Sequence, residues 1–248
     1  DFKSILEPKS VSNFLVHCPE LFSDDHILDL SSKNDEYRNQ SVAELNKVID
    51  LSRNMKEYFG LKNDIRIIVN MGGFSKNQFL DSKTKSVLYG RLENSLDQID
   101  TSGVQLLPQT MPPFPWHFGG QSFHNLFVLH EEIVNFCEKR NMMICLDVSH
   151  SKLACTYSNT SFYKFCEAVV PYTSHIHIAD SKGNNEEGLQ INEGEIDFNS
   201  LSQILNSLCP NASFIPEVWQ GHENCGEGFW KALERLESSL KSSDLLKG

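Results

Sequence analysis

Hydrophobic and polar positions along the chain fall into two alternating patterns. Short apolar runs have the length and composition of buried β-strands; they read NFLVH, IRIIVN, VQLLPQ, MMICLD, SHIHIAD and SFIPEV. Between them, apolar residues recur every three or four positions, the spacing of one buried helix face. The helices predicted in this way cover residues 41–59, 84–100, 125–140, 200–208 and 229–240.

The alternation itself indicates the fold class. Consecutive parallel strands need a long crossover connection, usually a helix, so strands separated by helices favour a parallel sheet and an α/β fold. No low-complexity linker divides the chain. We therefore expect a single domain over residues 1–248.

Composition and charge disfavour two classes of function, nucleic-acid binding and membrane binding. The chain has 248 residues and a formal net charge of −11, whereas nucleic-acid binding needs a basic face that neutralises phosphates. The same charge disfavours an anionic membrane surface, and no run approaches the roughly 18 apolar residues of a membrane span. The seven cysteines are odd in number and never spaced C-x-x-C, which is typical of reduced thiols. We expect a cytoplasmic protein.

A polar residue stands at the carboxyl end of every predicted strand. In a parallel α/β barrel these ends converge on the face that carries the active site. One such histidine alone is more often a structural residue, but six strands that end this way are hard to explain by packing. The residues are His17, Asn70, Gln109, Asp147 with His150 just beyond it, His177 and Glu217.

The order of these segments resembles the xylose-isomerase-like TIM barrels, which include sugar and sugar-phosphate isomerases and epimerases, inosose dehydratases and apurinic endonucleases. FLVHCPEL resembles the family's H-x-P strand, CLDVSHSKLA its L-D-x-x-H strand end, HIHIADSKG its H-x-H-x-x-D strand and FIPEV its last, glutamate-bearing strand. The resemblance implies a TIM (β/α)8-type barrel. The H-x-P strand is normally the third of eight, so we expect the first two βα units to be missing here or supplied upstream of Asp1.

The same resemblance implies a divalent metal site. Carried over residue by residue, it makes Asp147, His177 and Glu217 metal ligands and puts His150 in direct contact with the metal or just behind it. Gln109 stands where the isomerases have a ligand glutamate, so it offers at most an amide oxygen. Mixed nitrogen and oxygen ligands suit zinc, manganese or cobalt, with magnesium also open.

The expected chemistry is isomerisation or epimerisation of a sugar or sugar phosphate through an enediolate. Glu217 is the expected general base, assisted by His150. Other residues near the strand ends are expected to bind the substrate; these are His17, Trp116, His117, Lys182, Gln220 and His222. Trp219 and Trp230 are expected to pack against the barrel.

Three alternatives stay open. The nucleases of the family have a D-R-H element and a ligand histidine that this chain lacks, which disfavours DNA cleavage. Segments around residues 111–121 and 216–230 resemble a barrel module attached to nonulosonic (sialic-type) acid synthases. Gln109 favours a non-catalytic module of this kind in nonulosonic acid or surface-polysaccharide biosynthesis. A dehydratase-type module at the same metal is the other alternative. Because the chain is expected to begin in mid-fold, we expect it to associate with a fused upstream domain or as a homo-oligomer.

Overall fold

The computed structural model describes residues 2–7, 11, 13–117 and 120–245. It divides into two compact units. The first comprises residues 1–73 and 80–108, and the second comprises residues 74–79 and 109–248.

Strands and helices alternate along the chain, as the sequence pattern indicates. The strands are β1 (Leu15–His17), β2 (Ile65–Val69), β3 (Phe74–Ser75), β4 (Val104–Pro108), β5 (Trp116–His117), β6 (Gly120–Gln121), β7 (Phe123–His124), β8 (Ile144–Asp147), β9 (Thr173–Ile178), β10 (Asp180–Lys182), β11 (Glu186–Leu189) and β12 (Ser213–Pro216). The helices are α1 (Asp35–Phe59), α2 (Ser82–Leu96), α3 (His130–Arg140), α4 (Val148–Ser158), α5 (Phe162–Val169), α6 (Phe198–Leu208) and α7 (Glu223–Leu245).

The first unit holds a three-stranded parallel sheet in the order β1-β2-β4. The central strand β2 is almost entirely buried, as expected for a strand covered on both faces. Helix α1 begins after Asn34, whose side chain accepts a hydrogen bond from the Tyr37 amide, and it ends at Gly60 in the left-handed region (φ 65°). Both caps satisfy backbone groups that the helix ends would otherwise leave unpaired.

The second unit holds a parallel sheet in the order β12-β9-β8. All four residues of β8 are buried, and the central strand β9 is buried at five of its six positions. Short antiparallel pairs join β3 to β7, β5 to β6 and β10 to β11. Helix α4 starts directly after β8, and α5, α6 and α7 follow along the chain.

All six strands predicted from the sequence are present. The helices agree less well with the sequence pattern, which does not predict α4 and α5. Helix α3 begins at His130 and not at residue 125, since the apolar residues before it are buried in a loop in which Phe127 has φ 57°. Helix α7 contains non-helical residues from Asn224 to Gly226, so its regular part begins close to the predicted position.

Two expectations from composition can be compared with the structure. All seven cysteines are free thiols, and five of them are buried, as expected for reduced cysteines. Within the described ranges, none of the helices combines the length and apolar character needed to cross a membrane.

Candidate metal centre

Asp147 is the last residue of β8 and also the N-cap of α4. Its Oδ1 accepts a hydrogen bond from the His150 amide at 2.8 Å, and its own amide donates to Thr110 Oγ1 at 2.9 Å. These bonds fix the carboxylate at the point where the strand becomes the helix. The second oxygen, Oδ2, remains directed towards His150 and His177.

His177 comes from β9, the strand beside β8, and Glu217 follows β12, which pairs with the other edge of β9. His177 lies on β9 with a buried side chain, and its Nδ1 is 2.7 Å from Glu217 Oε2 and 3.6 Å from Asp147 Oδ2. Glu217 directly follows β12, and its amide donates to the Ile178 carbonyl at 3.0 Å. Parallel pairing of Ile215 with His177 therefore brings Glu217 to the same end of the sheet.

These three side chains fit a divalent ion. Each offers one ligand atom, and all of these atoms lie within 4.8 Å of one another. Ligand bonds of about 2.0–2.2 Å place two donors of one ion no more than about 4.4 Å apart, so the 2.7 Å and 3.6 Å separations from His177 are compatible with a shared ion. One imidazole and two carboxylates are a donor set for zinc, manganese or cobalt.

The protonation of His177 shows how strongly the site attracts positive charge. Burial alone would lower the pKa of His177, but hydrogen bonds to Asp147, Cys145 and Glu217 outweigh burial and raise the pKa to about 12. The pKa of Asp147 is held well below its usual range, because the neighbouring His150 and His177 outweigh the opposite effect of burial. Without a metal, the imidazolium of His177 compensates the carboxylates. A bound cation would replace that proton.

Gln109 lies beside this cluster. It forms an isolated parallel bridge with Cys145 of β8. Its Nε2 donates to Asp147 Oδ2 at 3.1 Å and lies 3.3 Å from His177 Nδ1. The amide nitrogen, and not the oxygen, therefore faces the two ligands in this arrangement. Metal ligation by Gln109 needs a rotated amide and stays a prediction.

His150 contacts both the metal cluster and Glu187, a residue that the sequence pattern does not predict. Its Nδ1 donates to the Thr110 carbonyl at 3.1 Å and lies 3.4 Å from Asp147 Oδ2, while its Nε2 lies 3.5 Å from Glu187 Oε2. Burial lowers the pKa of His150, but Asp147, Glu187 and Glu217 outweigh burial and raise it. Glu187 lies in the polar stretch NNEEG, which carries no strand or helix signal. Its place beside the cavity follows from the pairing of β11 with β10.

The cluster opens into a cavity of about 330 Å³, at the small end of the range for small-molecule sites. Asp147, His150, His177, Glu187 and Glu217 all line it. The other lining residues come from α4, the link between β9 and β10, the β10–β11 hairpin and the segment after β12; they are Ser149, Ala179, Gly188, Val218, Trp219, Gln220 and His222.

The predicted substrate residues divide into three groups. Gln220 and His222 line the cavity. Lys182 is exposed on β10 and is not among the lining residues, whereas His17 belongs to the first unit, where its Nδ1 donates to the Cys18 carbonyl. The side chains of Trp116 and His117 lie outside the described part of the structure.

The expectation that Trp219 and Trp230 pack against the barrel is wrong. Trp219 is 78% exposed and Trp230 is 70% exposed. Trp219 lies at the cavity instead, where its amide donates to the Gly188 carbonyl at 2.7 Å. An exposed tryptophan at a cavity offers an apolar ring face to a ligand.

Asp180, the aspartate of the H-x-H-x-x-D segment, has a structural role. Its Oδ1 accepts from the amides of Ser181 (2.8 Å) and Ile196 (3.0 Å), and its Oδ2 accepts from the Gly194 amide (2.8 Å). These three bonds tie both ends of the segment that carries the β10–β11 hairpin. The fully buried carboxylate therefore helps to hold Glu187 in place.

Comparison with known proteins agrees with this architecture. The family model described as xylose isomerase-like TIM barrel matches residues 1–241. An uncharacterized protein of Methanocaldococcus jannaschii is 26% identical over 197 residues, which are 79% of this chain. The match spans 66% of that relative's length, just under two thirds.

Solved structures resemble the chain at low sequence identity, and the likeness therefore shows the fold alone. A D-tagatose 3-epimerase-like protein has a TM-score of 0.70 at 20% identity, with coverage of 97% of this chain and 81% of that one. Endonuclease IV from Thermus thermophilus has a TM-score of 0.59 at 17% identity and coverages of 93% and 76%. The IolI protein with a bound zinc atom has a TM-score of 0.62 at 11% identity and coverages of 87% and 74%.

Proposed function

The chain belongs to the xylose isomerase-like TIM barrel family, and on that basis we propose that it is a metal-dependent isomerase or epimerase of a sugar or sugar phosphate. The observation that carries the proposal is the cluster of Asp147, His177 and Glu217 at one end of the cavity. The similarity to an epimerase-like protein and to a zinc-containing family member supports it.

Asp147, His177 and Glu217 are the residues that would hold the metal. When bound, a divalent ion would supply Lewis-acid stabilisation of the negative charge that develops on the sugar carbonyl oxygen. His177 would have to lose its proton, and Asp147 is already fixed by its capping bond. Gln109 then helps to orient Asp147 through its amide hydrogen bond.

Glu217 is the proposed general base. Both Glu217 and Asp147 line the cavity. The Glu217 side chain is 48% exposed whereas Asp147 is buried, so a bound sugar can reach the Glu217 carboxylate. Glu217 removes the proton from the carbon next to the carbonyl; the C–H electron pair forms the C=C bond of an enediolate, and the carbonyl π pair moves to oxygen. Return of a proton to the neighbouring carbon isomerises the sugar, and return to the opposite face inverts the original carbon.

The cavity wall supplies groups for recognition. Gln220 and His222 provide polar contacts for hydroxyl groups, and Trp219 provides an apolar face for the C–H side of a sugar ring. His17, Trp116, His117 and Lys182 stay predicted substrate residues. The net charge of −11 disfavours the DNA substrate of a nuclease.

Solvent isotope exchange tests the proposal. The protein is incubated with manganese and either D-fructose or D-psicose, two ketohexoses that differ only at C3, in deuterated water. We expect deuterium to enter the carbon next to the carbonyl, in a reaction that stops with a chelator and in the Glu217→Gln variant. Absence of metal-dependent exchange from both sugars contradicts the proposal and favours the non-catalytic module of nonulosonic acid or polysaccharide biosynthesis.

A further inference from the structure

Glu187 is a second half-exposed carboxylate in the same cavity. Its side chain is 49% exposed, close to the 48% of Glu217. It contacts His150, with Oε2 at 3.5 Å from Nε2. Glu187 comes from β11, a strand of an antiparallel pair, and not from the carboxyl end of a parallel strand.

The two glutamates are connected by a series of side-chain contacts. Successive contacts run from Glu187 to His150 (3.5 Å), from His150 to Asp147 (3.4 Å), from Asp147 to His177 (3.6 Å) and from His177 to Glu217 (2.7 Å). Because both glutamates line the cavity, a sugar bound there can meet both carboxylates. Among the described residues that line the cavity, Asp147 is the remaining carboxylate, and it is buried and engaged as a helix cap.

The backbone beside Glu187 is held firmly against the site. The Gly188 amide donates to Ser149 Oγ at 3.1 Å, and the Gly188 carbonyl accepts from the Trp219 amide at 2.7 Å. Gly188 has φ 69°, and a Cβ there would stand 3.3 Å from the Trp219 amide nitrogen. The glycine thus permits a close approach that joins the hairpin to the first turn of α4 and to the segment after Glu217.

We propose that Glu187 is the second acid–base residue of the site, and that the reaction is epimerisation by two carboxylates and not isomerisation by one. This inference rests on the function proposed above. Glu217 removes a proton from one face of the carbon next to the carbonyl, and the C–H electron pair enters the enediolate. The protonated Glu187 then delivers its proton to the opposite face, and the electron pair returns to form the new C–H bond. The reverse reaction exchanges the two roles.

Gln109 explains why the site needs a second carboxylate from another element. Inversion needs a proton acceptor on one face of the carbon and a proton donor on the other, and an amide at residue 109 can serve as neither at neutral pH. Glu187 restores the second proton-transferring group from another element. His150, which contacts both Glu187 and Asp147, positions Glu187 relative to the metal cluster.

The test compares Glu187→Gln with Glu186→Gln, a matched control. Glu186 is exposed on the same strand and is not among the lining residues. Each protein is incubated with manganese and D-fructose or D-psicose in deuterated water, and C3 exchange and interconversion are followed by NMR. We expect interconversion by Glu187→Gln to fall by at least about a hundredfold, while one of the two sugars still exchanges its C3 proton through Glu217. Glu186→Gln should match the parent.

A second readout does not depend on activity. Because Glu187 is not a proposed ligand, manganese should raise the melting temperature of Glu187→Gln as much as that of the parent. A reduced shift would make Glu187 a ligand and overturn the inference. Interconversion at the parent rate, or loss of exchange from both sugars with an unchanged metal shift, would also overturn it.

The outcome for the parent separates this inference from the proposed function. Exchange without inversion at C3 in the parent would leave the isomerase proposal intact and overturn the role of Glu187. A parent that exchanges no proton from either sugar contradicts the proposed function, and the inference falls with it.

Discussion

A single carboxylate, Asp147, serves both the fold and the site. Oδ1 caps α4 through the His150 amide, and Oδ2 faces His177 and accepts from Gln109. The helix start and the metal cluster therefore depend on the same rotamer. Substitutions can separate these two roles, because asparagine is also a good N-cap but offers no negative charge.

Asp147→Asn should retain the cap but lose the favourable interaction with His150 and His177 that lowers the pKa of Asp147, and it should abolish metal binding. Asp147→Ala should also abolish it and should lower the free energy of unfolding by about 1 kcal/mol more, the usual cost of a lost N-cap. Denaturant unfolding with and without manganese measures both effects. Retention of the manganese-dependent stabilisation in Asp147→Asn would show that Asp147 is not a ligand.

Gln109 is neutral, so the negative charge beside His177 comes from Asp147 and Glu217. Gln109→Glu adds a third carboxylate beside Asp147, so it should tighten divalent metal binding and destabilise the protein when no metal is present. Thermal melts with and without manganese or zinc test this, because a ligand that binds only the native state raises the melting temperature. If neither metal shifts the melting temperature of the parent or of the variant, the site does not bind metal and the module interpretation is favoured.

The protonation of His177 makes metal affinity dependent on pH. Hydrogen bonds to its neighbours outweigh burial and raise its pKa to about 12, so at neutral pH an ion must displace one proton to bind. Binding should therefore tighten as the pH rises, by up to about tenfold per pH unit. Calorimetry in two buffers of different ionisation enthalpy should report release of one proton; binding with no proton release would contradict the raised pKa.

At the scale of elements, the β10–β11 hairpin is the least expected part of the site. Asp180 holds the base of the hairpin through three backbone amides, and one of them, the Gly194 amide, lies 2.8 Å from Asp180 Oδ2. A Cβ at Gly194 would stand 2.4 Å from both Asp180 Oδ1 and the Ser181 carbonyl oxygen. This segment must move if residue 194 gains a side chain.

Gly194→Ala should lower the free energy of unfolding by about 1–3 kcal/mol through overpacking. The control is Gly90→Ala in the interior of α2, where a Cβ meets nothing within 4 Å. That substitution should raise stability by about 0.5–1 kcal/mol, because alanine favours helix over glycine. Chemical denaturation measures the free energy of unfolding of both variants. Equal changes would show that the close contacts around residue 194 do not destabilise Gly194→Ala.

The helices that the sequence pattern predicts are those with one buried face. Helix α4 was missed because it is buried on several sides, at Val148, Ser149, Ser151, Leu153 and Cys155 among others, so no polar stripe marks it. Helix α5 has a clear stripe but spans only eight residues. The strand ends predicted Asp147, His177 and Glu217, which do converge. Glu187 could not be predicted, since its place depends on hairpin pairing.

At the scale of the whole molecule, charge and sheet edges limit what the protein can bind. The net charge of −11 accords with a small neutral or metal-bound substrate better than with nucleic acid. Among the described strands, β12 pairs with β9 alone, and its residues Phe214 and Ile215 are exposed. Open edges of this kind favour association, so the expected homo-oligomer or fused partner stays a prediction.

The central claim is that Asp147, His177 and Glu217 hold one divalent ion at the cavity. Anomalous diffraction at the manganese absorption edge, on crystals grown with manganese, tests it most directly. We expect one strong peak about 2.0–2.3 Å from an oxygen of each carboxylate and from a ring nitrogen of His177, and no peak there in Asp147→Asn crystals. A map with no peak among these three side chains, from crystals grown with a large molar excess of manganese, would contradict the claim.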